Sequence, residues 1–143
     1  MRKYLIVLFF LSIPTAAQTA RVGFEESIAV YGPEIFPALT LVRLCGDFRL
    51  LVAYVNGTDL LFVDKLIPAA GGSTYRVEKS FGFGEFNHYE ASRDISAVTC
   101  EKRDSGFLEI MGSGTDGHSN REFDFKVLLD TQTGAYQYTD TLD

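Results

Sequence analysis

The sequence predicts an all-β domain, a small antiparallel barrel or sandwich of about eight strands held by one disulfide. Three observations predict it. Short runs rich in Val, Leu, Phe and Tyr are separated by Gly, Pro, Asn and Asp at roughly ten-residue intervals. No run makes a convincing helix, and no repeat or domain linker interrupts the pattern. Two of the runs, residues 48–55 and 60–66, flank Asn56-Gly57, a pair that tolerates positive φ and so suits a tight hairpin turn.

That hairpin is the strongest local signal. Phe48, Leu50, Val52 and Tyr54 share one alternation, and Leu51, Ala53 and Val55 share the other. A strand that is apolar on both faces must be covered on both, so this hairpin is expected at the centre of the domain. Before it, residues 39–44 read as a strand entering Cys45, with Gly46-Asp47 as the turn. Further upstream, residues 27–31 fit a short strand. Within 21–38 the alternative is a helix of one or two turns, since Pro33 and Pro37 forbid a long one. After the hairpin, Pro68 and Gly71-Gly72 break the chain. In residues 74–81, Tyr75, Val77 and Phe81 alternate with Thr74, Arg76 and Glu78, the pattern of a half-buried strand. The glycines of Phe81-Gly82-Phe83-Gly84 suggest a bend of the kind that turns a barrel corner. Residues 95–102 and 107–111 read as short strands, and the glycine-rich 112–120 as a flexible loop. Phe123, Phe125, Val127 and Leu129 then alternate with Glu122, Asp124, Lys126 and Leu128. Asp130 and Gly134 bound a turn, and Tyr136 and Tyr138 return on the same alternation.

The first residues bound where the protein works. Met1-Arg2-Lys3 precedes an apolar run at 4–13, then Pro14 and Thr15-Ala16-Ala17. This predicts a secretory signal peptide over residues 1–17, cleaved after Ala17. The run is too short to span a bilayer, which needs about 20 residues, so no membrane anchor is expected after cleavage. Residues 18–143 are then a single all-β domain, periplasmic or secreted. Its formal charge moves from −6 to −8, eleven basic residues against nineteen acidic. Such a balance disfavours nucleic acid and anionic membranes, both of which reward clustered Lys and Arg, and favours a basic partner. Cys45 and Cys100 are the only cysteines. In an oxidising compartment, with no Cys-x-x-Cys spacing, they are expected to form a structural bridge.

Residue types that carry chemistry are present without the arrangements that chemistry needs. Gly112-Ser113-Gly114-Thr115-Asp116-Gly117 matches a dinucleotide fingerprint in letters only. That motif works by placing a helix N-terminus on a pyrophosphate, and here an alternating, strand-like segment follows. His88 and His118 have no second histidine or cysteine at metal-ligand spacing, although Asp116 lies near His118, so no metal site is expected. Ser73, Ser80, Ser92 and Ser96 sit in no nucleophile elbow. A carboxylate pair for glycoside hydrolysis can be drawn from Glu78, Glu85, Glu90 and Asp94, but nineteen acids make such pairs inevitable. No catalytic residue, no cofactor and no enzymatic activity are predicted.

The densest unusual cluster is Phe81, Phe83, Phe86 and Tyr89, with Glu85, Asn87, His88 and Glu90 between them. Together with Tyr75, the residues Phe81, Phe83, Glu85, Phe86, His88 and Tyr89 form the candidate binding surface. The competing expectation is that these aromatics fill a core that has no tryptophan. Substitution of Phe83 or His88 is expected to leave a folded protein, whereas Val52→Asp or Phe62→Asp is expected to abolish folding.

The order Cys45, Tyr54-Val55-Asn56, Leu61-Phe62-Val63, Ala70, Gly72, Tyr75 and Cys100 resembles the small periplasmic inhibitors of c-type lysozyme. The resemblance covers residues 45–100 and implies a compact antiparallel barrel. That family carries a Ser-Ala-Ser-Gly-x-x-Tyr loop, and Gly71 stands where its inhibitory serine would be. Phe83-Gly84 falls near its Lys-Gly pair. The resemblance therefore implies a fold more than an activity. The expected function is binding, in the form of an inhibitor or immunity-type protein of a basic envelope enzyme. The alternatives are a barrel that carries a small apolar ligand and an envelope hydrolase acting through surface carboxylates.

Overall fold

A computed structural model describes residues 18–19, 38–88, 90–104 and 106–142. These residues form β1 (Gln18–Thr19), β2 (Ala38–Cys45), β3 (Phe48–Val55), β4 (Thr58–Pro68), β5 (Tyr75–Gly82), β6 (Arg93–Lys102), β7 (Phe107–Asp116), β8 (Arg121–Asp130) and β9 (Ala135–Asp140). All pairings are antiparallel. One sheet runs β2-β3-β4-β5 and the other β6-β7-β8-β9, with β1 adding two residues to the free edge of β9. The fold is all-β as predicted. Of the two architectures foreseen it is the sandwich, because the hydrogen-bonded order does not close into a barrel. The predicted signal peptide, the segment at 21–37 and Tyr89 lie outside the described residues.

The hairpin at 48–66 takes the expected central place. Asn56 and Gly57 have φ of 51° and 88°, the two positive values of a type I′ turn, and they set Val55 opposite Thr58. One face of β3 and β4 supplies Leu50, Val52, Leu61 and Val63 to the main core. Val98, Ile110, Phe125 and Val127 meet them from the second sheet. On the opposite face Leu51, Val55, Leu60 and Phe62 form a second buried cluster, none of them more than 8% exposed. Full burial of each such side chain contributes about 1.5–3 kcal/mol. That burial stops at the sheet edge, where Leu39, Val42 and Leu44 of β2 are exposed. The same face holds a cross-strand row of Arg49, Asp64 and Ser80. Arg49 donates to Oδ2 of fully buried Asp64 at 2.7 Å.

Two devices join the sheets. Cys45 of β2 and Cys100 of β6 form the expected disulfide, with Cα atoms 6.0 Å apart, at the seam between the two edge strands. In the chain-entropy model a loop of this span contributes about 4 kcal/mol. The second device lies at the start of β4, where the pairing with β5 has ended and side chains stand in for a strand. Asn87 donates to the Leu61 carbonyl and accepts from the Leu61 amide, both at 2.9 Å. Thr58 Oγ1 accepts from the Arg93 amide at 3.0 Å, and Asp59 Oδ2 accepts from the Ile95 amide at 2.7 Å. Burial, opposed by that amide and aided by nearby Asp94, pushes the Asp59 carboxyl above its ordinary range.

The glycine-rich run corrects an expectation. Gly112 to Asp116 is not loop but the second half of β7, and the turn begins only at Gly117. A Cβ on Gly112 would meet the Phe125 ring and the Ala97 carbonyl at 2.5 Å. A Cβ on Gly114 would collide with the Asp94 carbonyl. The glycines are there to let β6 and the rings of β8 close on β7, a packing reason rather than a conformational one.

Candidate binding face

The predicted binding surface is divided by the fold. Phe81, Phe83 and Phe86 are at most 1% exposed and belong to the main core, where they present nothing to a partner. Phe83 meets Tyr136 edge-on at 5.1 Å, and Phe86 lies 4.8 Å from Phe125 and 5.7 Å from Tyr138. The expected tolerance of Phe83 substitution is therefore corrected: truncating it opens a cavity beneath Tyr136. Glu85, half-buried, accepts from the Tyr136 hydroxyl at 2.9 Å, while that oxygen accepts from the Gly84 amide at 3.0 Å. Burial first, and then the neighbouring Glu85, push the Tyr136 phenol up to about 12. His88 is exposed. Tyr75, 69% exposed, opens β5 at the opposite end from this cluster. Seven residue steps of about 3.3 Å separate the two ends of that strand. The interior of the sandwich is lined by buried side chains from both sheets.

The polar groups at one end of the sandwich, most of them half-buried, are held by one another. Arg93 lies 4.8 Å over the Phe123 ring and pairs with Asp116 at 3.4 Å and Asp140 at 3.9 Å. Asp140 also accepts from Tyr138 at 2.7 Å, and burial followed by that carboxylate raises the Tyr138 phenol. Burial pulls the Asp116 carboxyl upward, but the amides of His118 and Ser119 together with Arg93 hold it below the usual range. His118 is turned to the Glu90 carbonyl at 2.8 Å. Each group is held by another part of the chain, so this constellation ties the end of the sandwich together. None of the acids Glu78, Glu85, Glu90 and Asp94 lines the groove that crosses β6–β9. Among the described residues no cluster of three or more His, Cys, Asp or Glu is placed to hold a metal.

What remains open is the outer face of β6–β9. Alternation sends Val98, Ile110, Phe125 and Tyr136 inward and leaves Thr99, Met111, Ser113, Asp124, Lys126 and Thr139 outward. A shallow groove of about 490 Å³ crosses all four strands there. Its position follows from the register. One wall is the row Thr99, Met111, Lys126 and Thr139, and the other is Ala97, Ser113, Asp124 and Thr141. The backbone of Val98, Gly112, Phe125 and Asp140 forms the floor between them. Glu109, beside the groove, accepts from Arg103 at 2.6 Å and pairs with Lys126 at 2.7 Å. Lys126 first and then Arg103 hold its carboxyl below the usual carboxylate range. Asp94, Glu122 and Asp124, in the two rows toward the other end of the sheet, form no ion pair among the described residues.

The charge of the chain is divided in the same way. Residues 38–82, which contain β2–β5, carry five basic and four acidic groups, a net +1. Residues 83–142, which contain β6–β9, carry five basic and eleven acidic groups, a net −6. Sequence reasoning missed this face because it followed aromatic density. The signal that would have found it is the polar alternation Glu122, Asp124, Lys126 together with the uneven spread of acids.

The class these observations define is a two-sheet antiparallel sandwich with one acidic, grooved sheet face. No family model matches the chain, and no curated protein or solved structure is found to be similar to it.

Proposed function

We propose that the chain is an exported binding protein, periplasmic or secreted, that works by docking on a basic partner through the outer face of β6–β9. An inhibitor or immunity-type protein of a basic envelope enzyme is the specific form of this reading. The observation that carries it is the charge division: a net −6 gathers in the half of the chain whose sheet has an open outer face. An acidic face steers a basic partner, speeds its encounter and makes the association sensitive to salt. Raising ionic strength from about 0.01 M to 1 M shortens the screening length from about 30 Å to 3 Å. Capture from periplasmic extract on the immobilised protein at low salt is expected to yield a partner that 1 M salt releases. Recovery of no salt-released protein would contradict the reading.

A second reading is favoured by Tyr75, 69% exposed at the start of β5, next to the exposed glycines and Ser73 of the β4–β5 turn. This is the segment that resembles the loop of periplasmic lysozyme inhibitors, and a projecting hairpin suits entry into an enzyme cleft. Inhibition of a c-type lysozyme that is lost in Tyr75→Ala supports it. Absence of inhibition at micromolar protein removes it.

A further inference from the structure

Resting on that docking reading, the geometry points to the channel across β6–β9 as the seat of an extended, lysine- or arginine-bearing segment of the partner, laid at right angles to the strands. The channel is straight because its walls are two neighbouring register rows, Thr99–Met111–Lys126–Thr139 and Ala97–Ser113–Asp124–Thr141. Four strands at about 4.8 Å spacing make it about 14 Å long, the span of about four residues of extended chain at 3.3 Å each.

The walls fix the chemistry of the occupant. Lys126 belongs to a network with Glu109, Arg103 and Glu101 whose charges balance, so the unbalanced charge at the channel is Asp124, backed by Glu122 and Asp94 in the adjoining row. A cationic side chain seated there meets complementary charge on one wall. Met111, 40% exposed, offers the other wall an unbranched, adaptable apolar contact. Ser113, Thr139 and Thr141 supply hydroxyls that suit the amides and carbonyls of a main chain. A sugar polymer is the less suitable occupant, since the one aromatic lining the groove, Phe125, is 3% exposed with its ring packed inward against Phe86.

The test uses the whole chain, isotope-labelled, titrated at low salt with the end-capped peptide GKLKG and with GELEG as the control. Saturable shifts are expected at the amides of Gly112, Ser113, Phe125 and Lys126 with the cationic peptide alone. Ala97 is exposed, so Ala97→Phe fills the channel without entering the core. It is expected to weaken binding by about tenfold or more, and Asp124→Lys by a similar factor. No saturable binding, equal affinity for Ala97→Phe, or the same shifts from a neutral oligosaccharide would each overturn the assignment. The two proposals fail separately. A salt-released partner that Ala97→Phe captures as well as the natural chain does leaves the docking face in place and removes the channel. Capture of no such partner removes the face itself.

Discussion

The two sheets are built alike and used differently. Each is a four-strand meander with one face in the common core. In β2–β5 the outer face of β3 and β4 is also buried, with Leu51, Ala53, Val55 and Leu60 no more than 6% exposed. In β6–β9 the outer face is left to Thr99, Met111, Asp124, Lys126 and their neighbours. The centre of that sheet, buried twice, contributes stability, and its margins, at Leu39, Val42, Leu44 and Tyr75, are left exposed. A sheet buried once has a face on which charge and shape are free to vary without cost to the core. The aromatic cluster shows the same division. Phe81, Phe83 and Phe86 look like a binding surface by composition, yet they follow or end a strand of the doubly buried sheet and point inward.

The comparison breaks most easily at Val52, which is fully buried. Val52→Asp is expected to abolish cooperative folding, because an unpaired charge would enter the core. Met111→Asp on the open face is expected to change stability by no more than about 0.5 kcal/mol. Thermal melts of the two variants check this, and a cooperatively melting Val52→Asp protein would misplace the centre of the fold. Arg49→Met comes next. It leaves buried Asp64 with neither Oδ1 nor Oδ2 paired among the described residues and is expected to cost about 3–5 kcal/mol by urea denaturation. Lys126→Met on the exposed face breaks a solvent-screened pair and is expected to cost no more than about 1 kcal/mol. Replacing Cys45 and Cys100 by Ser frees the β2–β6 seam and is expected to cost about 2–5 kcal/mol.

Asp59 sharpens the comparison with a smaller effect of opposite sign. Its carboxyl is raised by burial, so its ionised form costs stability at neutral pH. The stability linked to its protonation is present below the unfolded-state value and is lost as pH rises through the raised folded one. Asp59→Asn keeps an acceptor for the Ile95 amide and removes the charge. A gain in stability at pH 7 is expected, shrinking toward pH 4, as read from melts across that range.

Much of the fold was legible because strand alternation and turn chemistry are local. Asn56-Gly57 and Asp130 to Gly134 form the expected turns, and Asp130 Oδ1 accepts from the Gln132 amide at 2.8 Å. Residues 48–55 and 123–129 show their burial directly in their letters. The choice between barrel and sandwich was not legible, since it depends on whether the edges of the two sheets pair with each other. Gly112 and Gly114 misled for a related reason. Their meaning lies in Phe125 and the Asp94 carbonyl, neighbours set by register across three strands. The candidate face was partly legible as a one-sided strand at 122–128. Its groove was not, because each wall draws single residues from four strands.

The central claim is that β6–β9 presents the working face while β2–β5 is scaffold. The most direct measurement pairs a melt with a capture assay on one variant carrying Asp94→Lys, Glu122→Lys and Asp124→Lys. All three side chains are exposed, so a Tm within a few degrees of the natural chain is expected. Loss of the partner that salt releases from the natural chain is the result this account requires. A variant that melts normally and captures the same partner with the same salt dependence would contradict it.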